Sequence, residues 1–318
     1  MNANPTNQAN RNHAMLTAEP ASSRRVLFAC FGDHWPASAL LRAHTFAEQL
    51  HDELYVLHVC AEPKSAWRFN RKKQPLAVLH SIEVIEKSRE ATLNRCASIL
   101  WPALPEEQVL SAEGDFVETV VRFAAELGAE LIVLPPQSRS CGDAAMQIVQ
   151  AARVPVLVAR PGRSHNIVVA ATNMQDRRLP VLRQARSVGA LLQAELLLVH
   201  NVEPSLLAPA PEVAMLWHQS TPGAEADQRA QCLASVAEDL PRCVGTVVKS
   251  ELNTAHAILE ASRTCDADLI VVGVARAYSR WERLLGKSVA ARVTDRAYRS
   301  VLLFPITPPS SEAVALSN

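Results

Sequence analysis

The sequence has no excess of either charge: 32 Lys and Arg stand against 32 Asp and Glu. Without a net field there is no electrostatic case for nucleic acid or an anionic membrane surface as a partner. No apolar run approaches the ~20 residues that span a bilayer. Residues 1–22, "MNANPTNQANRNHAMLTAEPAS", lack the apolar centre of a signal peptide and read as a disordered leader. Residues 307–318 read as a disordered tail. The seven cysteines (30, 60, 96, 141, 232, 243 and 265) are odd in number and never form a CxxC, which points to free thiols in a reducing compartment. Together these absences place the chain in the cytoplasm. No Ser-His-Asp or Cys-His arrangement and no metal-ligand spacing can be assembled. No catalytic residue and no metal ligand is therefore assigned, and the chain is not read as an enzyme.

What is present is a duplication. "ELYVLHV" (53–59) returns as "ELLLVHNV" (195–202), and "GAELIVLPP" (128–136) as "DADLIVVGV" (266–274). "VPVLVARP" (154–161) returns as "SVLLFPITP" (300–308), and "RVLFACFGD" (25–33) as "NIVVAATNM" (166–174). Two copies of one unit fill 24–161 and 165–306, joined at "RPGRSH" (160–165), whose Pro and Gly suit a boundary.

Within each copy, short Val/Ile/Leu runs alternate with amphipathic stretches. The runs read as strands buried on both faces. Five are expected per copy, near 25–30, 53–59, 107–111, 130–135 and 154–159, and near 166–171, 194–200, 245–250, 267–273 and 300–304. Over 115–128, Phe116, Val120, Phe123, Ala124 and Leu127 share one helical face, with Asp115 and Glu118 as a capping box and Gly128 as the stop. Thr221-Pro222 opens another helix, reaching about Leu240. Such alternation with right-handed crossovers gives parallel sheets with helices on both faces, a Rossmann-like, doubly wound α/β fold. Ligands bind such sheets beyond the strands' carboxyl ends, where strand order reverses.

The stretch "VVGVARAYSRWERLLGKSVAARV" (271–293) leaves the fourth strand of the second copy at that crevice. Gly273 is read as letting the chain turn sharply off the strand. Gly286, Lys287 and Ser288 open a helix with Val289, Val293 and Ala297 on its inner face. Free amides at a helix start, the helix dipole and small residues suit phosphate. Arg276, Arg280, Arg283 and Lys287 add positive charge, and Ser288 a hydroxyl donor. Arg292, Arg296 and Arg299 are read as facing water or pairing with carboxylates. This is not a Walker A loop, which would need glycine at 281, where Trp281 stands.

These residues resemble the universal stress protein family in its tandem, two-domain form. His58 and His200 in strand two, the "DLIVVG" style of strand four and the "PVLV" final strand carry the resemblance. It implies two five-stranded parallel sheets of order 3-2-1-4-5. It also implies a strand-one aspartate and a G-x-x-G-x9-G-[ST] loop in nucleotide-binding members. On the second copy the outer glycines of that loop fall on Gly273 and Gly286, the middle one on Arg276 and the Ser/Thr position on Lys287, next to Ser288. The aspartate falls on Thr172, beside Asn173, and the backbone position that holds adenine falls on Asn201. The implied ligand is ATP or another adenine nucleotide, or a phosphate anion, at Thr172, Asn173, Asn201, Gly273, Arg276, Gly286, Lys287 and Ser288.

The first copy departs further. Phe31 takes its aspartate position, Pro135-Pro136 stands where the loop should begin, and about seven residues of the loop are gone (22 positions from Val133 to Pro155, against 29 from Val271 to Ser300). Proline has no N–H to give, so no nucleotide is expected there.

The histidines read as strand-end residues hydrogen-bonded to backbone, and the cysteines as inert thiols. Segment 201–222 reads as a crossover or an apolar lid, and 60–76 as a basic loop. The resemblance implies that the final strands of the two copies meet, pairing the domains within the chain. It leaves a homodimer and an unidentified protein partner open. Three functions stand at this point: a nucleotide-responsive stress regulator, an interaction scaffold with both sites closed that works through sheet edges or the 201–222 segment, and a nucleotide hydrolase or transferase.

Overall fold

The structure is a computed structural model that describes residues 24–32, 35–60, 74–136, 141–162, 166–174, 179–202, 222–249, 253–275 and 288–306. The expected leader and tail, the greater part of segments 60–76 and 201–222, and Arg276, Arg280, Arg283, Gly286 and Lys287 lie outside the described residues.

The first copy runs β1 (Arg25–Phe31), α1 (Ala37–Leu50), β2 (Glu53–Cys60), α2 (Gln74–Ile99), β3 (Val109–Glu113), α3 (Phe116–Leu127), β4 (Ala129–Leu134), α4 (Cys141–Ala152) and β5 (Val156–Val158). The second runs β6 (Ile167–Ala171), α5 (Pro180–Leu191), β7 (Glu195–Asn201), α6 (Pro222–Glu238), β8 (Cys243–Lys249), α7 (Thr254–Thr264), β9 (Leu269–Ala275), α8 (Val289–Arg296) and β10 (Ser300–Ile306).

Each copy has strand order 3-2-1-4-5, and the two sheets join into one of ten strands, β3-β2-β1-β4-β5-β10-β9-β6-β7-β8. The join is antiparallel, with Leu302 opposite Leu157 and Val301 opposite Val158. The inner edges therefore cover one another, and β3 and β8 are the outer edges.

Strand alternation sends side chains to two cores. Leu27 and Ala29 belong to a core that also takes residues from α3, α4, α7 and α8, whereas Val26, Phe28 and Cys30 belong to one shared with α1, α2, α5 and α6. Val156, Leu157, Val158, Val301 and Leu303 at the join are fully buried. Burial of each such side chain is worth about 1.5–3 kcal/mol, which makes the join part of the core.

The Asp115 cap and the Gly128 stop form as read. The Asp115 carboxylate accepts the Glu118 amide at 3.0 Å, and Gly128 ends α3 in the left-handed region at φ 63°. Val120 and Ala124 are buried, with Phe116, Phe123 and Leu127 packed against the same core. The cross-domain contacts are polar as well. Asp295 Oδ1 on α8 accepts the Gly142 amide at the start of α4 at 2.8 Å, and Arg160 Nη2 donates to the Thr294 carbonyl at 2.7 Å. Arg299, past the end of α8, pairs with Asp266 at 2.8 Å. Arg292 departs from the reading: it is half-buried, and its Nε is buried without a partner, rather than facing water.

Candidate functional site

In the second copy the strand order reverses at β6, which pairs with β7 on one side and β9 on the other. A cavity of about 640 Å³ opens beyond the carboxyl ends of these strands. That is an ordinary volume for a small-molecule site. Apolar side chains, among them Val181, Val199, Ile258, Val272, Val289 and Ile306, form much of its lining. Thr172, Asn173, His200, Asn201, Arg229 and Thr254 supply the polar groups. Among the described lining residues Arg229 is the single cation, and no carboxylate is present.

Thr172, His200, Asn201 and Thr254 are fixed by hydrogen bonds. Thr172 follows β6, and its amide donates to the Val199 carbonyl at 3.0 Å. Its own carbonyl receives the His200 Nδ1–H at 2.8 Å, and its Oγ1 accepts the Met174 amide at 3.1 Å. The chain therefore leaves the strand in a hydroxyl-stabilised turn, with Met174 in the left-handed region at φ 55°. His200 is 94% shielded, being 6% exposed, so its ring acts as a brace for this turn. Asn201 at the end of β7 donates its Nδ2–H to Thr254 Oγ1 at 2.9 Å, tying the strand to the first turn of α7. That helix starts at Asn253, whose side chain accepts the His256 amide.

Four of the expected residues, Thr172, Asn173, Asn201 and Gly273, line the cavity together. Gly273 does so for a different reason from the one read in the sequence. The chain does not turn there: β9 runs on to Ala275, and Gly273 lies opposite Phe304 of β10. A Cβ at 273 would come within 2.7 Å of Val181 Cγ2 and closer still to Ile306. The glycine is needed for side-chain packing from α5 and β10, two elements distant in sequence.

Ser288 opens the helix, as read. It is the N-cap of α8, and its Oγ accepts the Ala291 amide at 3.0 Å. This bond occupies a lone pair and one helix-start amide, and leaves the hydroxyl hydrogen to donate elsewhere. Arg276, Gly286 and Lys287 lie outside the described residues.

Sequence reading missed Arg229, Thr254, Val181 and Ile306. Thr254 carried a faint signal as the residue after a capping Asn. Arg229 carried none, because one arginine on an amphipathic helix looks like any solvated charge.

The first copy differs at the matching place. His58 and His200 are equivalent, and β1–β2 pairing sets Cys30 beside His58 and Phe31 beside Val59. In the second copy Ala171 sits beside Val199. The register therefore aligns Cys30 with Thr172 and Phe31 with Asn173, one residue away from the sequence alignment. Phe116, the first residue of α3, matches Thr254, the first residue of α7. The Phe31 and Phe116 rings meet edge to face, 6.0 Å between centroids. An aromatic pair thus stands where the second copy has Asn173 and Thr254. His58 Nε2 donates to the Gly32 carbonyl, and its Nδ1 accepts from Ser88 Oγ. Both histidines thus contact backbone carbonyls at strand ends. At α4 the Gly142 amide, one of the helix-start amides that a phosphate loop would present, is taken by Asp295.

Among the described residues no group of three or more His, Cys, Asp or Glu is arranged to hold a metal ion, and no helix is long and apolar enough to cross a membrane. Cys30, Cys60, Cys96 and Cys141 are buried and form no disulfide.

The profile of the universal stress protein family matches residues 23–160 and again 164–305. Among solved structures, a universal stress protein from Archaeoglobus fulgidus DSM 4304 is 14% identical, with 89% of this chain and 97% of that chain covered at a TM-score of 0.55. A protein of unknown function from Pseudomonas aeruginosa PAO1 is 16% identical, with 89% and 92% covered at a TM-score of 0.54. These two share the fold. A universal stress protein solved in complex with cAMP is 27% identical over 44% of this chain and 95% of its own, at a TM-score of 0.30. No curated protein matches the chain.

Proposed function

We propose that this chain, which belongs to the universal stress protein family, is a cytoplasmic, non-enzymatic stress-response regulator whose second domain alone binds an adenine nucleotide or another phosphate-bearing ligand. The observation that carries the reading is the cavity at the carboxyl ends of β6, β7 and β9. It combines an apolar floor for a base with neutral hydrogen-bonding groups and Arg229 at its wall, and no carboxylate among its described lining residues. A cavity without a lining carboxylate favours an anionic ligand. Holding rather than turnover is part of the proposal: the histidine of the described lining, His200, is buried and its Nδ1–H is committed to the Thr172 carbonyl. At the matching place in the first copy, the Phe31–Phe116 pair and the Asp295 contact at α4 support a single site per chain. Ligand occupancy would then be read by a partner protein or a second copy of the chain.

A second reading is favoured by one observation: the Ser288 hydroxyl and the Thr172 hydroxyl both already accept backbone amides of their own turns. On that reading the chain is a contact scaffold acting through its outer strands β3 and β8. Native mass spectrometry of freshly purified protein, followed by titration calorimetry with ATP, ADP and AMP, separates the two. One nucleotide per chain is the expected result. A ligand-free mass with no heat on any addition would leave the scaffold.

A further inference from the structure

Helix α8 touches both domains. Its first residue, Val289, lines the cavity, directly behind the Ser288 cap. Close by, the Ala291 carbonyl packs so tightly on Gly142 of α4 that a Cβ at 142 would lie 2.5 Å from it. In the last turn Asp295 accepts the Gly142 amide at 2.8 Å, and the Thr294 carbonyl accepts from Arg160 Nη2 at 2.7 Å. The whole helix has eight residues, so only about 12 Å separates the cavity end from the interdomain end. A short helix buried at Ala290, Ala291, Val293 and Thr294 shifts as a body between packed positions rather than bending. A displacement at Val289 therefore arrives at Asp295.

We propose that α8 couples the cavity of the second domain to the first domain, with the Gly142–Asp295 contact as the element that changes. A ligand seated against the start of α8 resets the start of α4. This inference rests on the nucleotide-binding reading above. The residue types fit the role. Gly142 is the residue that permits the close approach of the two helices, since any side chain would meet Ala291 or Asp295. Asp295 places a carboxylate at the positive end of α4, on an amide with no partner inside its own helix. Coupling between sites is reciprocal: if ligand alters this contact, altering the contact must change ligand affinity by the same factor. Neither Gly142 nor Asp295 lines the cavity, so an affinity change from either one cannot come from a lost ligand contact.

The test uses the full chain with ATP as the probe, by calorimetry and by hydrogen exchange of a peptide spanning 141–146. ATP is expected to change exchange at the start of α4 by about fivefold or more. Gly142→Ala, which wedges the helices apart, and the milder Asp295→Asn should each change ATP affinity by about the same factor. ATP binding with unchanged exchange, and with unchanged affinity in both variants, overturns the coupling and leaves the binding reading intact. If the parent chain binds no ATP, the binding reading fails by itself. The coupling is then read from Thr254→Phe, which fills the cavity from α7 without a ligand. Altered exchange at 141–146 supports it, and unaltered exchange overturns it.

Discussion

Replacing Gly273 by Ala tests the central correction made by the structure. As a turn residue at a phosphate loop, Gly273 would matter for binding and little for stability. As a packing residue inside β9, it should matter for stability first. The added methyl would stand 2.7 Å from Val181 Cγ2 and nearer still to the Ile306 side chain. Ile306 is half-buried and ends its strand, so its tip can rotate aside. Val181 cannot follow: it lies in the first turns of α5 at 6% exposure, and a helical valine has essentially one rotamer. Relief must come from a shift of α5 against the sheet, an overpacking cost of about 1–3 kcal/mol. No backbone strain adds to this, because Gly273 is not among the residues of positive φ. Urea unfolding followed by circular dichroism should show a lower midpoint with an unchanged slope. Val181→Ala in the same chain should recover part of the loss, with a coupling energy of about 1 kcal/mol between the two sites. A Gly273→Ala chain as stable as its parent would falsify the packing argument. If that chain also lost nucleotide binding, the turn reading would be restored.

Three further outcomes are expected. The double substitution Asn173→Phe with Thr254→Phe, which copies the first-copy pair into the second, should abolish nucleotide binding in calorimetry while the chain remains folded; retained binding would remove the cavity from consideration. Asp115→Ala deletes the cap of α3 and should cost about 1 kcal/mol in urea unfolding, with Asp115→Asn nearly neutral. Burial pushes the Cys96 thiol up from 9.0 to about 11 and the Cys30 thiol further. At pH 8 an aromatic disulfide reagent should therefore modify exposed Cys232 quickly and these two only on unfolding. Because both thiols hold their protons more tightly folded than unfolded, their contribution to stability is complete below pH 9 and declines as pH rises toward 11. An unfolding midpoint that rises over that interval would contradict the assignment.

The sheet was readable because its signal is local. Runs such as "DLIVVG" and "ELLLVH" are largely buried, and each has a similar counterpart in the other copy at nearly the same spacing. The observed strands differ from the expected ones by a residue or two at their ends, as at β9, which continues through Gly273 to Ala275. That continuation is decided by β10, whose Phe304, Pro305 and Ile306 supply the partners, and nothing near Gly273 in sequence announces them. The one-residue offset that matches Phe31 to Asn173 rather than Thr172 has the same origin, since cross-strand pairing sets register and residue-by-residue likeness does not.

The site divides along the same line. Thr172, Asn173 and Asn201 are placed by the resemblance to the universal stress protein family, at the strand ends that define the crevice in a parallel sheet. Arg229, Val181 and Ile306 reach it from helix faces and a strand end, where composition is set by packing and carries no mark of a ligand. The interdomain contact lies furthest from sequence reading. Gly142 looks like an ordinary helix-start glycine and Asp295 like an ordinary surface acid, 153 positions apart. Only the antiparallel join of β5 and β10 brings α4 and α8 together. The duplication therefore does more than double a fold. It sets the start of one copy's helix against the end of the other's, and a carboxylate from the second domain occupies an amide that the first would otherwise offer to a phosphate. The shorter loop of the first copy and the Asp295 carboxylate of the second act at the same helix start, and together they support the proposal of one site per chain.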